Sequence, residues 1–216
     1  MRPIIKGSEP ASLTAHRKKL HSDYDNYAAK NDLRHALVTE QRGLCCYCMG
    51  RIRNGPTTMK IEHWRCRAHH PGEQLNYRNL LGACLGGPRQ PARLQYCDTR
   101  KANRDLKWNP AEPTHRIETR VRYEPDGSIR SDDVGFDQQL NGVLNLNLPV
   151  LRNHRKGVYD AVLQWWESRK TQFQGHVPRK VLDRERARHD AMVGNLDPYC
   201  QVAVWLLSQK LARMAT

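Results

Sequence analysis

The stretch from Cys45 to Lys101 gathers most of the residue types that do chemistry: Cys45-x-x-Cys48, Glu62-His63, Asn79, Cys84, then Cys97-Asp98 and Lys101. Zinc takes thiolates in tetrahedral four-coordination, and two cysteines separated by two residues suit adjacent vertices. Cys45 and Cys48 have that spacing. Cys84 and Cys97 do not, so an insertion, 85–96, must loop out between them. The expected zinc set is Cys45, Cys48, Cys84 and Cys97. Cys66 replacing one ligand, or four unrelated buried thiols, are the alternatives. A four-thiolate site is closed, so its zinc would stabilise rather than catalyse. Cys46 is directed away from such a site, and Cys200 lies in an apolar helical pattern. The carboxylates of Glu62 and Asp98 are expected to hold a second metal, for chemistry. Neighbours in a strand face opposite ways, so Glu62 could hold a metal while His63 addresses a substrate from another direction.

Three segments position these groups. Residues 1–43 form an N-terminal helical segment. In its first helix, capped by Ser12, Leu13, Leu20, Tyr24 and Tyr27 make a stripe. In its second, capped by Asn31, the stripe is Leu33, Ala36, Leu37 and Leu44. Residues 44–110 carry the motifs. A knuckle at Cys45–Gly50 and a strand at 59–63 make a hairpin with a loop, the basic loop 65–73 follows, and short helices are expected at 76–83 and 97–106. Residues 111–216 open with a period-two strand, Ile117, Thr119, Val121 and Tyr123, and a two-residue turn at Asp126-Gly127. Helices then cover 136–146, 148–173 and 179–193, and a last one is opened by Asp197-Pro198. The fold class is α+β, mostly helical. Trp165, Trp166 and Trp205 could stack on bases, but at helical spacing among aliphatics they read as core. His69-His70 before Pro71 reads as a phosphate-facing surface.

Lys and Arg number 36 against 22 Asp and Glu, a net charge of +14 that points to a polyanionic partner, most simply nucleic acid. The basic residues are spread along the chain, so the charge belongs to a folded body and not to a tail. No N-terminal apolar region and no run of about 18 apolar residues occurs, which predicts no membrane partner and a cytoplasmic location. There thiols stay reduced, and the 7 cysteines favour metal ligation over disulfides.

Cys45-x-x-Cys48, Glu62-His63, Asn79-Leu80-Leu81, Cys84 and Cys97-Asp98-x-x-Lys101 resemble the HNH nuclease motif, the ββα-metal fold with a zinc knuckle. Asp98 stands where many members have a final histidine, and both side chains bind divalent metal. The segments 1–6 and 40–45, Lys60-Ile61-Glu62-His63, 76–80 and Leu144-Asn145-Leu146-Asn147 with Arg152 are similar to one branch, the HNH proteins of the Septu antiphage system (PtuB) and their retron-linked relatives. The resemblance implies a zinc-stabilised ββα-metal core flanked by N-terminal and C-terminal helices. It implies His63 as general base, Asn79 orienting it through the loop, and Mg²⁺ or Mn²⁺ on Glu62 and Asp98. Lys101 is expected to touch the same phosphate, and Arg65, Arg67 and Arg78 to contact the nucleic-acid backbone. The implied function is an endonuclease acting on phage DNA beside an ABC/SMC-like, PtuA-like ATPase. RNA such as tRNA, or a zinc nucleic-acid-binding module without catalysis, are the alternatives.

Overall fold

The polar and apolar patterns settle into an α+β chain in which two small antiparallel sheets lie among helices. The computed structural model describes residues 1–190 and 194–214. The order is α1 (Ala11–Arg17), α2 (Lys30–Glu40), β1 (Lys60–His63), β2 (Leu80–Ala83), α3 (Cys97–Lys101), β3 (Arg122–Tyr123), β4 (Ile129–Arg130), α4 (Val134–Gln138), α5 (Pro149–Gln172), α6 (Arg179–His189) and α7 (Cys200–Arg213). One apolar cluster takes Leu13 and Leu37 from the first expected segment, Tyr47 and Leu81 from the second, and Phe136, Leu146 and Leu151 from the third. Trp165 and Trp205 pack on Val162 and Leu206 at the α5–α7 contact, and Trp166 lies against Leu182 and Leu211. They are half-buried and pack against the core, in line with their helical spacing. Among the described residues no helix is long and apolar enough to cross a membrane.

The first sheet differs from expectation. Residues 76–83 are not a helix: Tyr77–Asn79 make one 3₁₀ turn and Leu80–Ala83 are a strand. All four strand residues are buried, and a short run buried on both faces carries no periodicity to separate strand from helix. β2, not the knuckle, pairs with β1, in the register Lys60↔Ala83, Ile61↔Gly82, Glu62↔Leu81 and His63↔Leu80. The knuckle contributes a single bridge, Leu44↔Arg51. On its far side β2 meets the buried amide of Gln41. Gln41 Oε1 accepts from Gly82 N at 2.6 Å, and its Nε2 donates to Gly82 O at 2.7 Å and to Leu44 O at 2.8 Å. The Gln41 side chain, together with Cys46 N at 3.0 Å from Gly82 O, therefore covers the edge of β2 away from β1. A Cβ at Gly82 would come within 2.9 Å of Ile52 Cδ1, which explains a glycine in this strand.

Other elements are shorter than their patterns suggest. α1 stops at Arg17, leaving Leu20 86% exposed. Asp23 and Asn26 exchange side-chain-to-backbone bonds of 2.7 and 3.0 Å, a local turn that competes with helix. Ser12 does not cap α1; its hydroxyl meets Tyr27 OH at 2.9 Å. Asn31 lies inside α2, whose N-cap is Ala29. Residues 117–119 are a 3₁₀ turn, and only Arg122–Tyr123 pair with Ile129–Arg130. The turn between them is a three-residue loop, closed by Glu124 N to Ser128 O at 2.9 Å with Gly127 at φ 80°. The expected 136–146 helix is α4 followed by a π turn at Gln139–Val143. α5 matches its expected span, and the expected end of the charged helix, at Val193, lies outside the described residues. α7 begins after Tyr199 and not at Asp197-Pro198.

Gln41→Leu keeps the volume and removes three hydrogen bonds from buried backbone. Gly82 O keeps Cys46 N at 3.0 Å, so Gly82 N and Leu44 O are the groups orphaned; each costs about 1–3 kcal/mol, and urea unfolding should show a loss of about 2 kcal/mol or more. An unchanged midpoint would mean that the strand edge does not need this brace.

Candidate active site

The four thiols converge as their spacing requires. Met49 takes a φ of 66°, which turns the knuckle so that Cys45 N bonds Gly50 O at 2.8 Å and Gly50 N points at Cys48 Sγ at 3.3 Å. Cys84 N points at Cys45 Sγ at 3.3 Å. Cys45 Sγ lies 3.9 Å from Cys97 Sγ, and Cys48 Sγ lies 3.8 Å from Cys84 Sγ. A tetrahedron with Zn–S of ~2.3 Å has S···S of about 3.8 Å, so the set fits zinc. Cys66 is not part of this group. The insertion 85–96 closes at its neck. Tyr96 N bonds Gly86 O at 3.0 Å, and a Cβ on Gly86, at φ +63°, would strike Tyr96 O. Asn145 Nδ2 holds the loop through Arg93 O at 3.0 Å and Gln95 O at 2.8 Å. Burial pushes the Cys97 thiol well up. At Cys45 burial pushes the same way, but bonds from the neighbouring thiols outweigh it and bring the group well down. Four converging sulfurs, three of them on buried cysteines, are suited to a cation among them.

Asp98 follows Cys97 directly, in the first turn of α3. Its carboxyl lies close enough to that of Glu62 on β1 for each to shift the other's proton affinity. Glu62 is 2% exposed, and both its other polar partners fall on one oxygen: Tyr47 OH at 2.7 Å and Lys101 Nζ at 2.8 Å, each to Oε1. Oε2 is left for Asp98. Burial first, and then Asp98, hold the Glu62 carboxyl well above the usual range. Burial acts on Asp98 too, but Glu62 and Lys60 outweigh it and bring Asp98 down. The two carboxyls therefore oppose each other's ionisation, and oxygen donors so placed suit a hard divalent cation.

His63 faces the same cleft, of about 420 Å³, together with Tyr24, Lys60, Glu62, Cys66, Arg67 and Asp98. The two neighbours border this cleft with separate partners, Tyr47 and Lys101 for Glu62, Gln74 and Tyr24 for His63. β1 is paired on one side only, and residues at its free edge reach a common space. His63 Nε2 lies 3.1 Å from Gln74 O, which only accepts, so Nε2 carries the hydrogen and Nδ1 is the free base. The Tyr24 ring packs edge-on at 4.5 Å. Burial lowers the imidazole to about 4, so it is neutral at pH 7. Asn79 is buried at the base of the 64–75 loop. It accepts from Arg65 N at 2.7 Å and donates to Arg65 O at 3.0 Å and Glu73 O at 3.1 Å. It thereby fixes the loop that carries Gln74.

Lys101 departs from expectation. It is fully buried, and besides Glu62 it donates to His63 O at 3.0 Å, so it positions two site residues and does not meet a phosphate. Arg67 lines the cleft and pairs with Asp25 at 2.7 Å. Arg65 is exposed beside Trp64, outside the lining. Arg78 lies in a different concavity of about 690 Å³, with Lys6 and Arg17. That concavity and others are larger than the cleft, but they lack the acid pair. Lys60, unnoticed in the sequence, sits in the cleft 3.1 Å from Asp98 Oδ2. Its signal was available: two residues before Glu62 in a strand, it shares that face. Tyr24, Tyr47 and Gln74 had no such signal, because their contacts join residues at least 11 positions apart that no short motif links.

Two outcomes follow. Cys97→Ser should lose the zinc and, since structural zinc contributes folding energy directly, several kcal/mol of stability. Zinc content and a melting curve test this, and a full zinc complement with an unchanged melt would refute it. In metal-free protein, the His63 ring followed by NMR should titrate near pH 4. Between about pH 6.5 and 4 the unfolded chain takes up a proton that the folded one refuses, so this group lowers stability as pH falls through that window. A titration at 6.5 would show the ring to be solvated. No family model and no curated protein matches the chain, so the motif resemblance and this geometry carry the functional reading.

Proposed function

We propose that the chain is a metal-dependent endonuclease of the HNH (ββα-metal) kind that hydrolyses phosphodiester bonds of nucleic acid. One observation carries the reading: a neutral histidine with a free Nδ1 lines the same cleft as a buried carboxyl pair. The order β1, loop, β2, α3 around that cleft supports it, as does the net charge of +14.

In this reading His63 Nδ1 takes the proton of a water attacking phosphorus. Gln74 O holds Nε2–H, which fixes the tautomer and stabilises the imidazolium that forms. Asn79 keeps the loop, and so Gln74, in place. Lys101 and Tyr47 hold Glu62 Oε1, so that Oε2 and the Asp98 carboxylate present one edge. Mg²⁺ or Mn²⁺ held there would supply Lewis acidity and neutralise charge on the phosphate and the leaving 3′ oxygen. Lys60 and Arg67 line the approach and would meet backbone phosphates. Products would carry 5′-phosphate and 3′-hydroxyl ends. The zinc site would frame, not react. By the same resemblance the substrate would be phage DNA and the working form a complex with an ABC/SMC-like ATPase. The α5–α7 helices contribute no cleft residue, and they, or the N-terminal helices α1 and α2, are the surface left for docking.

The test is cleavage of DNA and of RNA by the purified protein, with and without the ATPase, in Mg²⁺ and in EDTA. Metal-dependent cutting that falls about 10²–10⁴-fold in His63→Ala is expected. Cutting that survives His63→Ala, or none in any combination, overturns the proposal.

A further inference from the structure

The loop that Asn79 fastens carries a second group of metal-ligand atoms. Cys66 Sγ, a His69 ring nitrogen and an Asp105 carboxylate oxygen all lie within 4.8 Å of one another. The loop builds half of this group by itself. Cys66-Arg67-Ala68-His69 closes into a turn in which His70 N bonds Cys66 O at 2.9 Å, bringing a thiol and an imidazole spaced by two residues to one side. Asp105, beyond α3, comes from the opposite wall, and His70 Nε2 stands 3.7 Å from its Oδ1. Cys66 is 4% exposed and borders the cleft. His69 and Asp105 are exposed, so small rotations bring their donor atoms to bonding distance.

We propose that Cys66, His69 and Asp105 form a second transition-metal site of the zinc class, separate from the four thiolates and from the carboxyl pair. The donor set decides the class of ion. One thiolate, one imidazole and one carboxylate suit zinc or cobalt, whereas magnesium and calcium prefer oxygen alone. Three protein ligands leave a fourth tetrahedral position for water. The ion would clamp the 64–75 loop, which carries the carbonyl partner of His63, to the segment following α3, which carries Asp98. It would thus fix the distance between the two halves of the cleft, whatever the cleft hydrolyses.

The experiment uses the full chain loaded with one equivalent of zinc, which the four-thiolate site takes, and then titrated with Co²⁺. Cobalt on carboxylates gives no thiolate charge-transfer band. The expected result is a near-ultraviolet band that saturates at one cobalt, with about a quarter of the intensity per ion of a four-thiolate site. Cys66→Ser should abolish it while the first zinc stays bound. His69→Ala and Asp105→Asn should weaken cobalt binding by about tenfold or more. Filling the site should also slow amide exchange over residues 66–70. Absence of the band in the unmodified protein, or its survival in Cys66→Ser, overturns the site; unchanged exchange on filling it overturns the clamp.

Discussion

Cys97 and Asp98 are neighbours, and the rest of the structure depends on that bond. Cys97 faces four-thiolate coordination, and Asp98 faces the cleft. Cys97 takes a φ of 52°, and its N–H bonds Leu144 O at 2.9 Å, so the backbone here is held from outside its own helix. α3 has only five residues and could not stand alone. Its position is set by sulfur at one end and by Lys101, buried against Glu62 and His63 O, at the other. The carboxyl pair inherits its geometry from both.

Charge balance explains why the interior tolerates these groups. Glu62, Asp98, Lys60 and Lys101 form a row in which acids and amines touch. A buried ion pair gains little over an apolar pair of the same size, and removing one member leaves a costly bare charge. Such a row is poor economy for stability alone. It makes sense where the central carboxyls must present free oxygens in a fixed place, and Lys101 and Tyr47, both on Oε1, leave Oε2 unencumbered.

The four-cysteine cluster that could hold zinc was legible in the sequence because residue type marks all four and short spacing marks the first two. The long helices were legible by periodicity, α5 almost to the residue. The chain's short pieces were not. Leu80-Leu81-Gly82-Ala83 is buried on both faces, and its identity as a strand depends on β1 and on Gln41, distant in sequence. Lys101 reads as a solvated helix lysine until Glu62 is seen beside it. Arg78 sits one residue from Asn79 yet belongs to another surface, since neighbours at the end of a 3₁₀ turn diverge.

The same limit explains the segment Leu144-Asn145-Leu146-Asn147, which marks one branch of the resembled family but suggests no chemistry as a sequence. Leu144 and Leu146 are fully buried. Between them, Asn145 reaches out to pin the 85–96 insertion through Arg93 O and Gln95 O. Asn147 Oδ1 accepts from Ile129 N at 2.9 Å and from the buried Arg155 at 3.1 Å, and its Nδ2 donates to Ile129 O at 3.0 Å. Arg155 in turn bonds Gly127 O and Leu146 O, both at 2.7 Å. Among the described residues no acid pairs with this guanidinium; carbonyls and an amide satisfy it, as a buried charge requires. Through Leu144 O and Asn145 the network ends on Cys97 N and on the loop joining Cys84 to Cys97. The C-terminal half is therefore part of the zinc frame. The irregular spacing of the second thiol pair is tolerable because residues more than 40 positions downstream close the loop that the spacing leaves open.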